Sequence, residues 1–180
     1  YCDEKKIPFQ KIGKLIVANS QEEKEELFSL KKRGLDNGLK GIKYLNQNEL
    51  SKKEPALQCI GALYVPMTGI IDSHSLMLAL RNDIENNNSL IALRTPFLSA
   101  SKKNSVFNVK TGDKNNPTLI QSHNIINASG LNARKVAQSI DQMKNTLIPK
   151  LFFNKGSYFS MSGPAPFKHL IYPLPKINSL

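Results

Sequence analysis

The sequence has no tryptophan and only two cysteines, Cys2 and Cys59, in 180 residues. Two distant thiols build no disulfide framework, and no CxxC or Cys/His cluster stands at metal-ligand spacing, so no metal site is expected. Reduced thiols suit a cytoplasmic setting. The longest apolar stretches, such as Leu15–Ala18 and Leu76–Leu80, fall far short of the roughly 20 residues that a membrane span requires. The start, Tyr1-Cys2-Asp3-Glu4-Lys5-Lys6, carries no apolar segment of a secretory leader. That the first residue is Tyr rather than Met points to processing or to a fragment. Three signatures of ligand chemistry are also missing: Gly-x-Gly-x-x-Gly, the phosphate-cradling P-loop and the Gly-x-Ser-x-Gly elbow. No Ser/His/Asp or Cys/His constellation can be assembled either.

What is present supports a folded chain. Apolar residues make up 40%, with Phe 8 and Tyr 5, enough to bury a core. Net charge is +11, from 25 Lys+Arg against 14 Asp+Glu. The lysines are scattered in small groups (Lys5-Lys6, Lys31-Lys32-Arg33, Lys52-Lys53, Lys102-Lys103) without interleaved aromatics on which bases could stack. A solvated basic surface is therefore expected and no nucleic-acid partner. A scattered positive field is compatible with weak peripheral attraction to anionic headgroups on the inner face of a membrane.

The coarse reading is α+β with mixed strand directions. Lys14–Ala18 reads as a strand. Ser20 caps a helix with Glu22 and Glu23 in its first turn, Lys31, Lys32 and Arg33 late, and Gly34 or Gly38 at its end. Ile42–Leu45 is a short strand, and Asn48–Lys53 a helical turn stopped before Pro55. Ala62–Val65 is a strand. After the Pro66–Gly69 turn, Asp72 or Ser73 caps a helix to about Glu85 with an apolar stripe of Leu76, Leu80 and Ile84. Leu90–Leu93 and Phe97–Ala100 read as strands flanking Pro96. Val106–Val109 and Leu119–Ile120 read as a pair of strands. Asn124–Asn127 reads as a strand, 131 to about 143 as a helix, and Tyr158–Ser162 and His169–Tyr172 as the last strands.

The best local motif is Asn127-Ala128-Ser129-Gly130-Leu131. A strand runs into small residues and a helix follows, so backbone could lie against a dinucleotide pyrophosphate. An ordinary strand-to-helix turn needing a glycine reads the same way. His74, beside Asp72, is either a base or substrate ligand near neutrality or a neighbour of a helix cap. His169 and Tyr172 fall on opposite faces of a regular strand. Lys155 with Tyr158 could bind a carboxylate, or be a surface lysine and a core tyrosine. His123 reads as surface, and Cys59 as a small buried hydrophobe.

Four ordered blocks resemble a known family. Gly13-Lys14-Leu15-Ile16-Val17-Ala18 resembles "GKLIVA" of the L-2-hydroxyglutarate dehydrogenases and oxidases, a branch of the D-amino-acid oxidase superfamily. Glu54-Pro55-Ala56-Leu57 with the segment Ala62-Leu63-Tyr64-Val65-Pro66-Met67-Thr68-Gly69-Ile70-Ile71-Asp72 resembles its "EP…AL..P.TGIVD". Asn127-Ala128-Ser129-Gly130-Leu131-Asn132-Ala133 is similar to "NAAGLHA", with Ser129 replacing the usual Ala. Lys155-Gly156-Ser157-Tyr158-Phe159 and Pro166-Phe167-Lys168-His169-Leu170-Ile171-Tyr172-Pro173 resemble "KG.YF…PF..LIYP". The Asp72-Ser73-His74 variant makes hydroxyglutarate itself less secure as substrate.

The resemblance implies an antiparallel-sheet substrate domain, about residues 1–95 and 145–180, plus part of a Rossmann-like FAD-binding domain, about 96–144. It implies FAD near Pro96, Phe97, Ala128 and Gly130, and a small 2-hydroxy acid near His74, Tyr158 and Tyr172. Hydride passes from the substrate's α-carbon to the flavin. The family's Gly-rich fingerprint would precede Tyr1 and its last Gly-rich stretch would follow Leu180. The expectation is thus a fragment, inactive by itself, whose missing segment a separate chain could supply. A non-catalytic remnant, or an amine or amino-acid oxidase of the same superfamily, are the alternatives.

Overall fold

Short β-branched stretches and capped helices alternate through the first half of the computed structural model, which describes residues 1–175. The chain divides into two compact units. One is Tyr1–Asn87 with the described residues from Ser157 onward, and the other is Asn88–Gly156.

In the first unit, β1 (Phe9–Gln10) is a two-residue strand. β2 (Lys14–Ala18) follows and leads into α1 (Gln21–Asp36). The Ser20 hydroxyl accepts the Glu23 amide at 3.3 Å, and the Glu23 carboxylate accepts the Asn19 amide at 2.7 Å, so the first turn is closed from both sides. Helix α1 runs through Gly34 and stops at Gly38, which adopts φ +79°. There the Gly38 amide donates to Leu35 and the Leu39 amide to Gly34, both at 2.9 Å. This pair of bonds satisfies carbonyls that the helix leaves open.

β3 (Lys43–Asn46) leads into α2 (Gln47–Lys53), opened by a capping box between Asn46 and Glu49. β4 (Gly61–Val65) and β5 (Ile70–Ile71) follow, and then α3 (Ser73–Asn86). Asp72 caps α3: its Oδ1 accepts the amides of His74 and Ser75 at 3.0 and 3.2 Å, and its Oδ2 the Ser75 hydroxyl at 2.6 Å. β1 pairs antiparallel with β5.

The main sheet has the order β3-β4-β2 and, parallel to β2, a last strand completed by residues Leu170–Pro173. Strand alternation sorts its side chains. Ile16, Ala18, Leu63 and Val65 pack with Leu27 and Ile42 on the α1 side, and Leu15, Val17 and Ala62 pack with Leu50 on the α2 side. Leu15, Leu27, Leu50 and Leu63 are fully buried. Each such side chain contributes about 1.5–3 kcal/mol by leaving water.

The second unit is a meander of β6 (Phe97–Lys103), β7 (Val106–Gly112) and β8 (Pro117–Ser122). Asn104 and Ser105 both take positive φ at the β6–β7 turn, the backbone that matches strand twist in a two-residue hairpin. Val109 faces Ile120, within the expected pairing, and Leu119 faces Lys110, one residue beyond it. A single helical turn at Gly130–Asn132 precedes α4 (Ala133–Gln138). The last strand of the chain, β9 (Leu170–Pro173), belongs to the first unit.

The mixed helix-and-sheet class is as expected, but four local expectations are not met. Leu90–Leu93, Asn124–Asn127 and Tyr158–Ser162 are irregular. Strand backbone needs a ladder for its amides and carbonyls, and no strand pairs with these runs among the described residues. The helix expected to about 143 ends at Gln138. Ala100 of β6 donates its amide to Ser139 and accepts the Asp141 amide, drawing the chain out of the helix and onto the sheet.

Candidate functional site

The flavin-side candidates lie in the second unit. The turn at 127–131 is open: Ala128, Ser129 and Gly130 are all exposed. Asn127 organises it. Its Oδ1 accepts the Ser129 hydroxyl at 2.5 Å, and its Nδ2 donates to the Ala133 carbonyl at 2.7 Å. Gly130 has φ +54°, and a Cβ built there meets nothing within 4 Å. A ligand could therefore come up to bare backbone, and a side chain at 130 would both strain the backbone and fill the approach. Pro96 is exposed and Phe97 half-buried at the start of β6. The Gly112 amide donates to the Pro96 carbonyl at 2.9 Å, which ties this segment to β7. Across the ladder from Phe97 stands Thr111, whose buried hydroxyl has no hydrogen-bond partner among the described residues.

The substrate-side candidates lie in the first unit. His74 is exposed in the first turn of α3, and its backbone amide, not its ring, is held by Asp72. The Ser75 hydroxyl and the Ser75 and His74 amides hold the Asp72 carboxyl below the usual range, as a working cap does. Tyr158 is 98% exposed within an irregular run. Tyr172 is opposite Ile16 on the α1 side of the sheet, half exposed, with the Lys14 ammonium 5.6 Å from its ring centre. No hydrogen bond or ring contact joins His74, Tyr158 and Tyr172 among the described residues.

Several clefts border this unit's elements. One of about 340 Å³ is lined by Pro8, Phe9, Gln10, Ile70, Ile71 and Asp72. Another of about 300 Å³ opens between α1 and the sheet, apolar within but carrying Lys14 and Arg33.

Reading the sequence missed a buried carboxylate in this unit. Glu54, at the end of α2, is 1% exposed. Its Oε1 accepts the Lys168 amide at 2.9 Å, the His169 amide at 2.8 Å and the His169 ring Nδ1 at 2.5 Å. Burial raises the Glu54 carboxyl pKa, but the His169 ring and the two amides lower it further, leaving it below the ordinary value. The His169 side chain is 13% exposed and meets Tyr64 edge-on, with ring centres 5.6 Å apart. The Lys53 ammonium lies 4.4 Å from the Tyr64 ring centre. His169 and Tyr172 thus occupy opposite sides of β9. The one signal in the sequence was a carboxylate at the end of a helix, immediately before Pro55; its partner stands 115 residues away.

Comparison with known proteins places this architecture. The family model described as FAD dependent oxidoreductase matches residues 1–180. The chain belongs to the FAD-dependent oxidoreductase family. Within that family, the mitochondrial L-2-hydroxyglutarate dehydrogenase of Arabidopsis thaliana is 29% identical over 100% of this chain and 43% of its own length. The L-2-hydroxyglutarate dehydrogenase of Indibacter alkaliphilus is 31% identical over 99% of this chain and 44% of its own. Among solved structures, FAD-bound L-alpha-glycerophosphate oxidase from Mycoplasma pneumoniae superimposes with a TM-score of 0.76. It is 24% identical over 96% of this chain and 46% of its own, a likeness of fold. This family member therefore spans less than half the length of the relatives it matches. No helix among the described residues is long and apolar enough to cross a membrane.

Proposed function

We propose that the chain serves the FAD-dependent oxidation of a small 2-hydroxy acid of the L-2-hydroxyglutarate kind. The observation that carries the proposal is the open, small-residue turn at 127–131, in a chain whose whole length matches an FAD-dependent family. The turn is compatible with a flavin nucleotide: Gly130 presents bare backbone, and among the described residues nothing lies within 4 Å of where its Cβ would stand. The proposal assigns Ala128 and Gly130 to the nucleotide's phosphate or ribose and Pro96 with Phe97 to the adenine end, with about 96–144 as the FAD-domain part. The buried, unpartnered Thr111 hydroxyl beside Phe97 is compatible with a ligand atom reaching that ladder.

FAD, when bound, supplies the hydride acceptor. This chain's residues would hold the substrate carboxylate and take the hydroxyl proton. His74, Tyr158 and Tyr172 are the proposed substrate-side residues, with Lys14 above Tyr172 as a cation for a carboxylate. Support for a hydroxy acid comes from the two relatives named for L-2-hydroxyglutarate that align along nearly all of the chain. Turnover by these 180 residues alone is not expected; ligand binding is. Titrating the chain into FAD while following flavin emission tests the reading. A saturable change that Gly130→Val abolishes supports it; emission unchanged at every protein concentration overturns it.

A further inference from the structure

The chain has three histidines, and they differ in one respect: among the described residues, only the His169 ring bonds to a carboxylate. His74 and His123 are exposed, and the Asp72 beside His74 spends both oxygens on Ser75 and on backbone amides. Glu54 receives two backbone amides, which can only donate, so its Oε1 acts as an acceptor. The third group on that oxygen, His169 Nδ1, is then also a donor. In the neutral ring this leaves the lone pair on Nε2. A carboxylate fixing the tautomer of an imidazole whose other nitrogen takes a proton is the arrangement of an oriented general base.

We propose that His169 is the proton-accepting residue for the substrate hydroxyl and Glu54 its positioning residue. The inference rests on the hydroxy-acid reading above. The balance is simple. The hydroxyl O–H would break and its proton go to His169 Nε2; FAD, when bound, would supply the acceptor that takes the α-hydrogen with its electron pair and is reduced. The products are a 2-oxo acid and an imidazolium, and Glu54 is already in place to balance the imidazolium charge. The surroundings suit an acid substrate. The groups beside the ring are Lys53 and Glu54 from α2, Tyr64 from β4 and Lys168 next to it in the chain; Leu15 and Ile171 add no charge. The positive charge placed there is the Lys53 ammonium, 4.4 Å from the centre of the Tyr64 ring that meets His169. At 13% exposure the ring is sheltered yet reachable. His169 and Tyr172 face opposite sides of the sheet, so with His169 as the proton acceptor Tyr172 and Lys14 drop out of the substrate site.

Ring-nitrogen NMR of the intact chain tests this without turnover, with the His169 signals assigned by their loss in His169→Asn. The expected spectrum shows neutral His169 protonated on Nδ1. Adding L-2-hydroxyglutarate shifts the Nε2 signal saturably, and glutarate, which lacks the hydroxyl, does not. Glu54→Gln keeps an acceptor oxygen and so keeps a foldable chain, but it weakens the hydroxyglutarate-dependent shift; Glu54→Ala removes the tautomer preference. Protonation on Nε2, or hydroxyglutarate shifting other residues with His169 unmoved, overturns the proposal while leaving the hydroxy-acid reading intact. Hydroxyglutarate shifting nothing in the chain overturns both.

Discussion

Helices α1 and α3 start alike and end up differently. Both are long, with 16 and 14 residues, and both open on a side-chain cap, Ser20 or Asp72. Both carry an apolar stripe. Yet α1 buries Leu27 completely against the main sheet, whereas α3 buries nothing: Met77, Leu78, Leu80 and Ile84 are all exposed. The α3 contacts recorded at its side chains are polar, such as Asp83 with Lys5 and Tyr1, which hold its carboxyl below the usual range. Local signals therefore decide that a helix forms and where it starts; they do not decide what covers it. An amphipathic stripe reports a demand for a partner, and α1 finds one among the described residues while α3 does not.

The largest expected contrast comes from truncating each stripe. Leu27→Ala should cost about 2–5 kcal/mol, the range for a fully buried leucine, and Leu80→Ala no more than about 0.5 kcal/mol, as for an exposed site. Urea unfolding of the two variants measures both; equal losses would break the comparison. Next is Glu54→Ala on the α2 side, where two amides and an imidazole lose their acceptor. Each buried unsatisfied donor costs about 1–3 kcal/mol, and the loss should appear as faster amide exchange at 168–170.

The same residue gives a pH signature. The folded-state Glu54 carboxyl titrates below its unfolded value. Its contribution is therefore complete above the unfolded carboxyl range, about pH 4.3, and disappears as pH falls through the folded value. Below the unfolded carboxyl range the stability gap between the native chain and Glu54→Gln should close as pH falls. A gap that keeps widening there would contradict the assignment.

The smallest effects concern the caps. Ser20→Ala and Asp72→Ala should each cost about 1 kcal/mol of helix stability. In α1 this should lower the midpoint of global unfolding. In α3, with no buried side chain, it should appear instead as local fraying, read by amide exchange at 74–76.

Legibility in the sequence followed the same division. Ser20, Asp72, the strand Lys14–Ala18 and the pairing of Leu119–Ile120 with β7 could be read because their causes lie within a few residues of each other. The end of α1 was ambiguous between Gly34 and Gly38, and the left-handed φ of Gly38 settles it. Leu90–Leu93 and Asn124–Asn127 had the composition of strands but no neighbour to pair with, which composition cannot reveal. Glu54 and His169 both stand within family-like motifs, yet their union depends on the end of α2 meeting the start of β9 in space. Sequence spacing carried no trace of it. The flavin-side candidates were legible as a turn; that the turn is left open follows only from the three-dimensional arrangement.

The most direct test of the whole account is amide hydrogen exchange of the chain with and without FAD. If residues 127–131 form a backbone surface for the nucleotide, FAD should slow exchange at Ser129, Gly130 and Leu131 in a saturable way, and Gly130→Val should remove that protection. FAD binding that protects other segments and leaves 127–131 exchanging at the free rate would contradict it.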